Sequence, residues 1–361
     1  MTQPDLPGQG APDAPSPASD TAAAEGGTPP GALQRDGDLP ALDPDGQPRL
    51  TLFGLERRAV PAVYLVGWIA SLTGVGAIAV SIMGSANPFA RWLFVVGLVI
   101  LAIGLLAAAG SQTIERSRRA ASPFKGPSPV LAFAVVVVIS LLALLLVLVP
   151  VSALGVDPGG QLGTAISLAV TTTVFLLVVR QLVVRTGALS WAEIGFSRPL
   201  GGALADLGRG ALLAVPVLAV SLLLTSLLAG LLAPPTSPLP TATTAGALLL
   251  NLLSAAVLAP LGEEVFFRGY TTTAWARAVG ARSAILRGAL FFALAHIATL
   301  FSSDFGTGWA SAATQFVGLL PAGLVLGWVF LARRSIWAPM GLHAAFNALQ
   351  LLLLFAITAR G

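Results

Sequence analysis

The chain has 361 residues, of which 55% are hydrophobic and only 10% are charged. Soluble domains carry about 25% charged residues, so this composition excludes a soluble globular protein and indicates a polytopic membrane protein. The sequence contains no cysteine. Disulfides, thiolate metal sites and cysteine nucleophiles are therefore excluded, and any catalysis must use oxygen and imidazole groups.

Residues 1–50 form an acidic, proline-rich segment. They hold ten of the 26 prolines and eight of the sixteen acidic residues, against two arginines. Too few bulky apolar groups are present to offset the entropy of folding, so we expect a disordered tail, with a docking tail as the functional alternative. The remaining chain is basic, but its arginines lie in loops between apolar segments, and no nucleic-acid partner is expected.

Apolar stretches of about 20 residues alternate with short polar breaks from Val60 onward. They predict an all-α transmembrane bundle of about nine spans, with eight as the alternative because the first stretch is rich in glycine and begins beside Pro61. The predicted spans lie near 60–83, 89–110, 129–151, 162–183, 210–232, 245–268, 285–303, 311–331 and 337–358.

Basic residues fall in alternate gaps between these spans. The intervening gaps at 152–161, 233–244 and 304–310 contain no lysine or arginine. Positively charged loops stay on the cytoplasmic side, so we expect a multi-pass protein of the plasma (inner) membrane with its N-terminus in the cytoplasm. The residues that set this orientation are Arg57, Arg58, Arg116, Arg118, Arg119, Lys125, Arg185, Arg198, Arg277, Arg282, Arg333 and Arg334.

Few ionisable residues lie inside the predicted spans, and these are candidates for function because a charge in the bilayer is costly. Glu263 and Glu264 end one apolar run, and the only two histidines, His296 and His343, lie in later runs. A single histidine in a membrane helix is usually a packing residue. Two histidines and two glutamates within about 80 residues favour a chemical site instead.

Helical spacing separates the roles of the two glutamates. Glu264 and Arg268 are four residues apart, so they share a helix face and can form an ion pair. That pair has a structural role, either buried or as an interfacial pair that reaches toward water. Glu263 is left without a cation on its helix, and a buried carboxylate of this kind suits a general base.

The histidines also have partners four residues away. His343 and Asn347 share a face and offer an imidazole and a carboxamide to one point, as donors for an oxyanion would. Phe292 precedes His296 at the same spacing, so its ring is expected to pack against the imidazole and fix its orientation.

Metal chemistry is a second interpretation of the same residues. Glu263, His296 and His343 are ligand types that suit zinc. The metal-free interpretation is favoured, because the ligands come from three separate spans and Asn347 supplies an amide, a poor zinc ligand but a good oxyanion donor. The sequence contains no HExxH, GxSG or GxGD motif, which disfavours the corresponding zinc, serine and aspartyl proteases.

Three segments together resemble a known family. EEVFFRG at 263–269, FALAH at 292–296 and HAAFN at 343–347 resemble the motifs EExxxR, FxxxH and HxxxN of the CAAX prenyl protease type II and bacteriocin-processing (CPBP, or Abi) membrane proteases. The resemblance covers about residues 185–358, including the loop WAEIGFSRP at 191–199. It assigns residues 129–361 to a protease core and leaves 51–128 as an N-terminal extension of two spans.

The resemblance implies an intramembrane glutamate-dependent endopeptidase. In such an enzyme Glu263, assisted by His296, activates water, and His343 and Asn347 stabilise the oxyanion. The expected partners are the lipid bilayer and a peptide or membrane-protein substrate, whose identity does not carry over from the family, and the sequence indicates no oligomeric state. The alternatives are a non-catalytic binding, immunity or scaffold protein, and a transporter that uses the Glu/His group as a proton relay.

Overall fold

The computed structural model describes residues 55, 58–84, 87–232, 239–297 and 305–358. The predicted disordered tail at 1–50 lies outside these residues. The regular structure within them is helical throughout. The α-helices, in chain order, are α1 (Pro61–Met83), α2 (Pro88–Arg118), α3 (Pro129–Ala153), α4 (Gln161–Val179), α5 (Leu200–Leu231), α6 (Ala245–Asn251), α7 (Ala259–Glu264), α8 (Thr273–Val279), α9 (Ala281–Ile297), α10 (Phe305–Arg333) and α11 (Trp337–Thr358).

Short π-helical segments extend or join several of these helices. They cover Arg180–Val184, Ala192–Phe196, Leu252–Leu258 and Val265–Thr272. The last two lie on either side of α7, so that α6, α7 and α8 form one continuous, irregular helical stretch over Ala245–Val279. The span predicted at 245–268 is therefore the first two thirds of a longer element.

Eight helical stretches of the described chain are long and apolar enough to cross a membrane. The ninth predicted span, at 285–303, corresponds to α9, which has 17 described residues and is followed by residues outside the described ranges. The prediction of a polytopic helical bundle is thus confirmed. The eight stretches are Pro61–Met83, Phe89–Arg118, Pro129–Ala153, Gln161–Val184, Leu200–Leu231, Ala245–Val279, Gly308–Arg333 and Trp337–Thr358.

The helix that carries the fifth span begins earlier than the predicted span. The span was placed at 210–232, whereas α5 begins at Leu200 and includes Asp206 and Arg209. These charges argue against a membrane helix when each is considered alone. In the structure the Asp206 carboxylate is paired with Arg209 and with Arg333 of α10, which removes that objection.

An aromatic cluster forms the main core. The rings of Phe133, Phe175, Phe266, Phe267 and Phe291 contact one another with centroids 5.2 to 6.5 Å apart. These residues come from α3, α4, the π-helical segment after α7, and α9. The cluster therefore fixes the position of the segment that carries both glutamates relative to its neighbours.

The first two spans pack against each other through small residues. A Cβ atom at Gly74 would lie 2.5 Å from the Leu101 backbone nitrogen, so glycine permits this close approach.

The connection between α2 and α3 is hydrogen-bonded to the core. Arg116 Nη1 donates to the Gly126 carbonyl at 2.6 Å, and the Tyr270 hydroxyl donates to the Pro127 carbonyl at 2.9 Å.

Helices α5 and α11 also approach each other at glycines. A Cβ atom at Gly210 would overlap the Ala338 carbonyl oxygen, and one at Gly341 would overlap the Leu207 carbonyl oxygen. The two backbones are therefore in direct contact. This contact places α11, which carries His343 two residues after Gly341, against the rest of the bundle.

We predict that Gly210→Ala destabilises the protein by about 1–3 kcal/mol, because the added methyl group forces the two backbones apart. Gly208→Ala on the same helix is the matched control, because its Cβ would meet no atom within 4 Å. That change should be neutral or stabilising by up to about 1 kcal/mol. Thermal unfolding of the purified variants in detergent measures both, and equal effects of the two changes would contradict the packing argument.

Candidate active site

Three elements bring the predicted site residues together. Glu263 and Glu264 lie on α7, His296 on α9, and His343 and Asn347 on α11. Glu263 Oε2 lies 3.6 Å from His296 Nε2 and 3.8 Å from His343 Nε2. The only two imidazoles of the chain therefore face the same carboxylate oxygen.

These separations exceed the length of a direct hydrogen bond. They do allow a small molecule such as water to contact all three groups in common. The side chains are not fully enclosed, since Glu263 is 20% exposed and His296 is 25% exposed. The arrangement can thus admit a reactant and pass a proton between a carboxylate and an imidazole.

The Glu264 side chain is completely buried and has hydrogen-bond partners of its own. Its Oε1 accepts a hydrogen bond from Arg268 Nη1 at 3.0 Å and from His343 Nδ1 at 2.7 Å. The Glu264 and Arg268 side chains are 0% and 2% exposed, so the interpretation as an interfacial pair reaching toward water is wrong. The pair is internal, and it also fixes the orientation of a site histidine.

The bond to Glu264 determines which nitrogen of His343 carries a proton. A carboxylate only accepts, so His343 Nδ1 must be the donor. In a neutral imidazole the Nε2 atom that faces Glu263 is then unprotonated. His343 can donate to an oxyanion from Nε2 only when both ring nitrogens carry protons.

His296 is held in the same way by its own helix. Its Nδ1 lies 2.8 Å from the Phe292 carbonyl oxygen, which can only accept, so Nδ1 carries a proton. The Phe292 ring packs against His296 and His343 with centroids 4.3 and 5.6 Å apart. The Arg268 guanidinium carbon lies 4.2 Å from the same ring. Phe292 therefore contacts both imidazoles and the internal cation.

Asn347 contacts the irregular part of the sixth membrane span. Its Nδ2 donates to the Ala255 carbonyl at 2.8 Å, in the π-helical segment Leu252–Leu258. This bond was not predicted, and it uses one of the two amide hydrogens. The second hydrogen remains for an oxyanion, so the proposed role of Asn347 stays a prediction.

The zinc interpretation requires the donors to form a ligand set. Among the described residues, no group of three or more His, Asp or Glu side chains is arranged to hold a metal ion. Glu264 is also committed to Arg268 and His343, which leaves Glu263 as the single free carboxylate of the group. The metal-free interpretation stays a prediction.

We predict that Glu264→Gln destabilises the protein by about 3–5 kcal/mol, because it leaves Arg268 buried without its counter-charge. The double variant Glu264→Gln with Arg268→Gln should recover part of this loss, since no unpaired charge remains. Thermal unfolding of the three proteins measures the coupling. If the double variant were no more stable than the single one, the internal ion pair would not be the source of the effect.

One family model matches the part of the chain that carries these residues. Residues 245–349 match the family model described as Type II CAAX prenyl endopeptidase Rce1-like. Searches of curated proteins and of solved structures find no match. The matched range contains all seven residues discussed above, namely Glu263, Glu264, Arg268, Phe292, His296, His343 and Asn347. Over residues 245–349 the chain is therefore similar to the type II CAAX prenyl endopeptidases.

Proposed function

We propose that this protein is an intramembrane endopeptidase in which Glu263 activates a water molecule for attack on a peptide bond. The match of residues 245–349 to a family model of membrane endopeptidases supports the reaction class. The observation that carries the mechanism is the position of Glu263 Oε2, within 4 Å of both imidazole Nε2 atoms. A carboxylate between two imidazoles can exchange protons with either one and with a bound water.

In the proposed first step Glu263 takes a proton from water while the water oxygen bonds to the peptide carbonyl carbon. His296 holds and orients the same water through Nε2, which is the unprotonated nitrogen of its neutral ring. The negative charge moves to the carbonyl oxygen, where His343 in its doubly protonated form and the second Asn347 N–H donate to it. The C–N bond then breaks, and the proton held by Glu263 passes to the leaving amine.

Substrate and orientation are also proposals. The substrate is a peptide or a segment of a membrane protein that reaches the site from the cytoplasmic side. The alternate distribution of arginines along the sequence supports a cytoplasmic N-terminus and this side of access. The mechanism described above needs no particular substrate side chain, because every step acts on the peptide group itself.

We predict that Glu263→Gln lowers the cleavage rate by a factor on the order of 10² to 10⁴ and leaves the thermal stability nearly unchanged. The amide keeps the shape of the carboxylate but cannot accept a proton. The measurement is cleavage of a peptide library by purified protein in detergent, beside an unfolding curve. Glu193→Gln, on the connection between α4 and α5, is the matched control and should retain wild-type cleavage.

Two results would contradict this proposal. Cleavage by Glu263→Gln at the wild-type rate would show that another group activates water. Absence of cleavage by the wild-type protein, with tight binding of a library peptide by both proteins, would instead identify a non-catalytic peptide-binding protein.

We predict that the activity does not require zinc. Asn347 is a poor zinc ligand, and a bound divalent cation would bring positive charge into the membrane that Glu263 alone would have to offset. Protein treated with a membrane-permeant chelator, and shown by elemental analysis to lack zinc, should therefore retain most of its cleavage activity. Loss of activity on this treatment, with recovery on adding one equivalent of zinc, would establish the metal mechanism.

A further inference from the structure

A second group of charges lies where α5 begins and α10 ends. Asp206 of α5 is 1% exposed and contacts three arginines. Its Oδ1 accepts hydrogen bonds from Arg333 Nη2 at 2.8 Å and from Arg209 Nη1 at 3.2 Å, and its Oδ2 lies 3.5 Å from Arg198 Nε. Arg198 also donates to the carbonyl of Arg333 at 2.7 Å. We call Asp206, Arg198, Arg209 and Arg333 the arginine cluster.

The arginine cluster is separate from the candidate active site. Asp206 and Arg209 lie on α5, which contacts α11 where Gly210 meets Ala338. His343 comes five residues after Ala338, so its side chain points about 140° away from this contact. Neither Asp206 nor any of the three arginines has a hydrogen bond or ion pair to Glu263, Glu264 or either histidine in the described contacts. The proposed cleavage mechanism uses none of these four residues.

The cluster carries more positive charge than its carboxylate can neutralise. Three guanidinium groups surround one buried aspartate, so the cluster has an excess of two positive charges. The arginine side chains are 40%, 58% and 39% exposed for Arg198, Arg209 and Arg333. The contacts above, with a bond from Arg333 Nε to Asp206 Oδ1 at 3.1 Å, use one or two nitrogens of each guanidinium group. Because a guanidinium group carries five N–H donors, each arginine keeps donors for a further anion. Asp206 holds the three guanidinium groups in place before that anion arrives.

The position of Arg209 along α5 indicates the source of this anion. At about 1.5 Å per residue, the 32 residues of α5 span about 48 Å, which exceeds the hydrocarbon thickness of about 30 Å. The first turns of α5 therefore lie at the level of the lipid headgroups. The Arg209 side chain is 58% exposed, and Leu212, three residues further toward the membrane interior along α5, is 77% exposed. A cationic edge beside an apolar face matches a phospholipid, whose phosphate lies next to its acyl chains.

We propose that the arginine cluster binds the phosphate of an anionic phospholipid from the surrounding leaflet. The phosphate accepts hydrogen bonds from the outer edges of the guanidinium groups, with Arg209 as the group nearest the lipid. The acyl chains lie along the exposed leucines of α5. The excess of two positive charges favours a lipid with net negative charge over a zwitterionic one.

Native mass spectrometry of the purified full-length protein with equimolar phosphatidylglycerol and phosphatidylcholine tests this proposal. The wild-type protein should retain phosphatidylglycerol in preference to phosphatidylcholine. Arg209→Gln should lower phosphatidylglycerol binding by about fivefold, the usual effect of one arginine near an anionic surface, and leave phosphatidylcholine binding unchanged. Arg287→Gln, an exposed arginine of α9, is the matched control and should bind both lipids as the wild type does.

A second substitution and a soluble anion distinguish lipid binding from an effect on folding and from binding of a free anion. Arg209→Lys keeps the charge and should retain most of the phosphatidylglycerol preference, whereas a purely structural role of Arg209 would be lost in both substitutions. Unchanged lipid preference in Arg209→Gln would overturn the proposal, whatever its stability. Arginine-dependent stabilisation by inorganic phosphate without any preference for phosphatidylglycerol would also overturn it, because the occupant would then be a soluble anion. None of these measurements depends on peptide cleavage.

Discussion

The buried carboxylate of Glu264 is the interaction on which the site depends. It joins Arg268 on its own helical stretch to His343 on α11, and all three side chains are removed from water. Such a group costs free energy to bury and stabilises the fold only while each partner is present. The Glu264 carboxylate also orients His343: it binds the protonated Nδ1, and the other ring nitrogen then faces Glu263. Glu264 therefore contributes both to the stability of the fold and to the geometry of the candidate site, although its own side chain is fully buried.

Two neighbouring glutamates reach different surroundings because of the helix that carries them. Successive residues of an α-helix point about 100° apart, so Glu263 and Glu264 cannot share one face. The short helix α7 lies between two π-helical segments, an irregularity often found at functional sites. Gly262 lets this helix approach α4, because a Cβ there would lie 3.0 Å from the Thr172 Cα. One carboxylate is thereby packed into the interior and the other is directed to both imidazoles.

The sequence predicted the features that depend on local spacing. Apolar runs located the membrane helices, and residues four apart indicated the Glu264 and Arg268 pair and the packing of Phe292 on His296. Contacts between distant segments could not be read in this way. The bond from His343 to Glu264 joins residues 79 apart, and the bond from Asn347 to Ala255 joins residues 92 apart. The early start of α5 was missed for the same reason, since the partner that neutralises Asp206 lies on α10.

The hydrogen bonds of the two histidines impose a condition on the proton balance of the site. Each imidazole has its Nδ1 proton directed to an acceptor, Glu264 for His343 and the Phe292 carbonyl for His296. If both rings were neutral, two nitrogen lone pairs would face the carboxylate oxygen of Glu263, and nothing in that set could donate. A proton on one of the three groups, or a water that donates to them, converts this repulsion into attraction. One proton shared among Glu263 and the two imidazoles satisfies this condition, and the mechanism that we propose uses such a proton when Glu263 accepts one from water and returns it to the leaving amine.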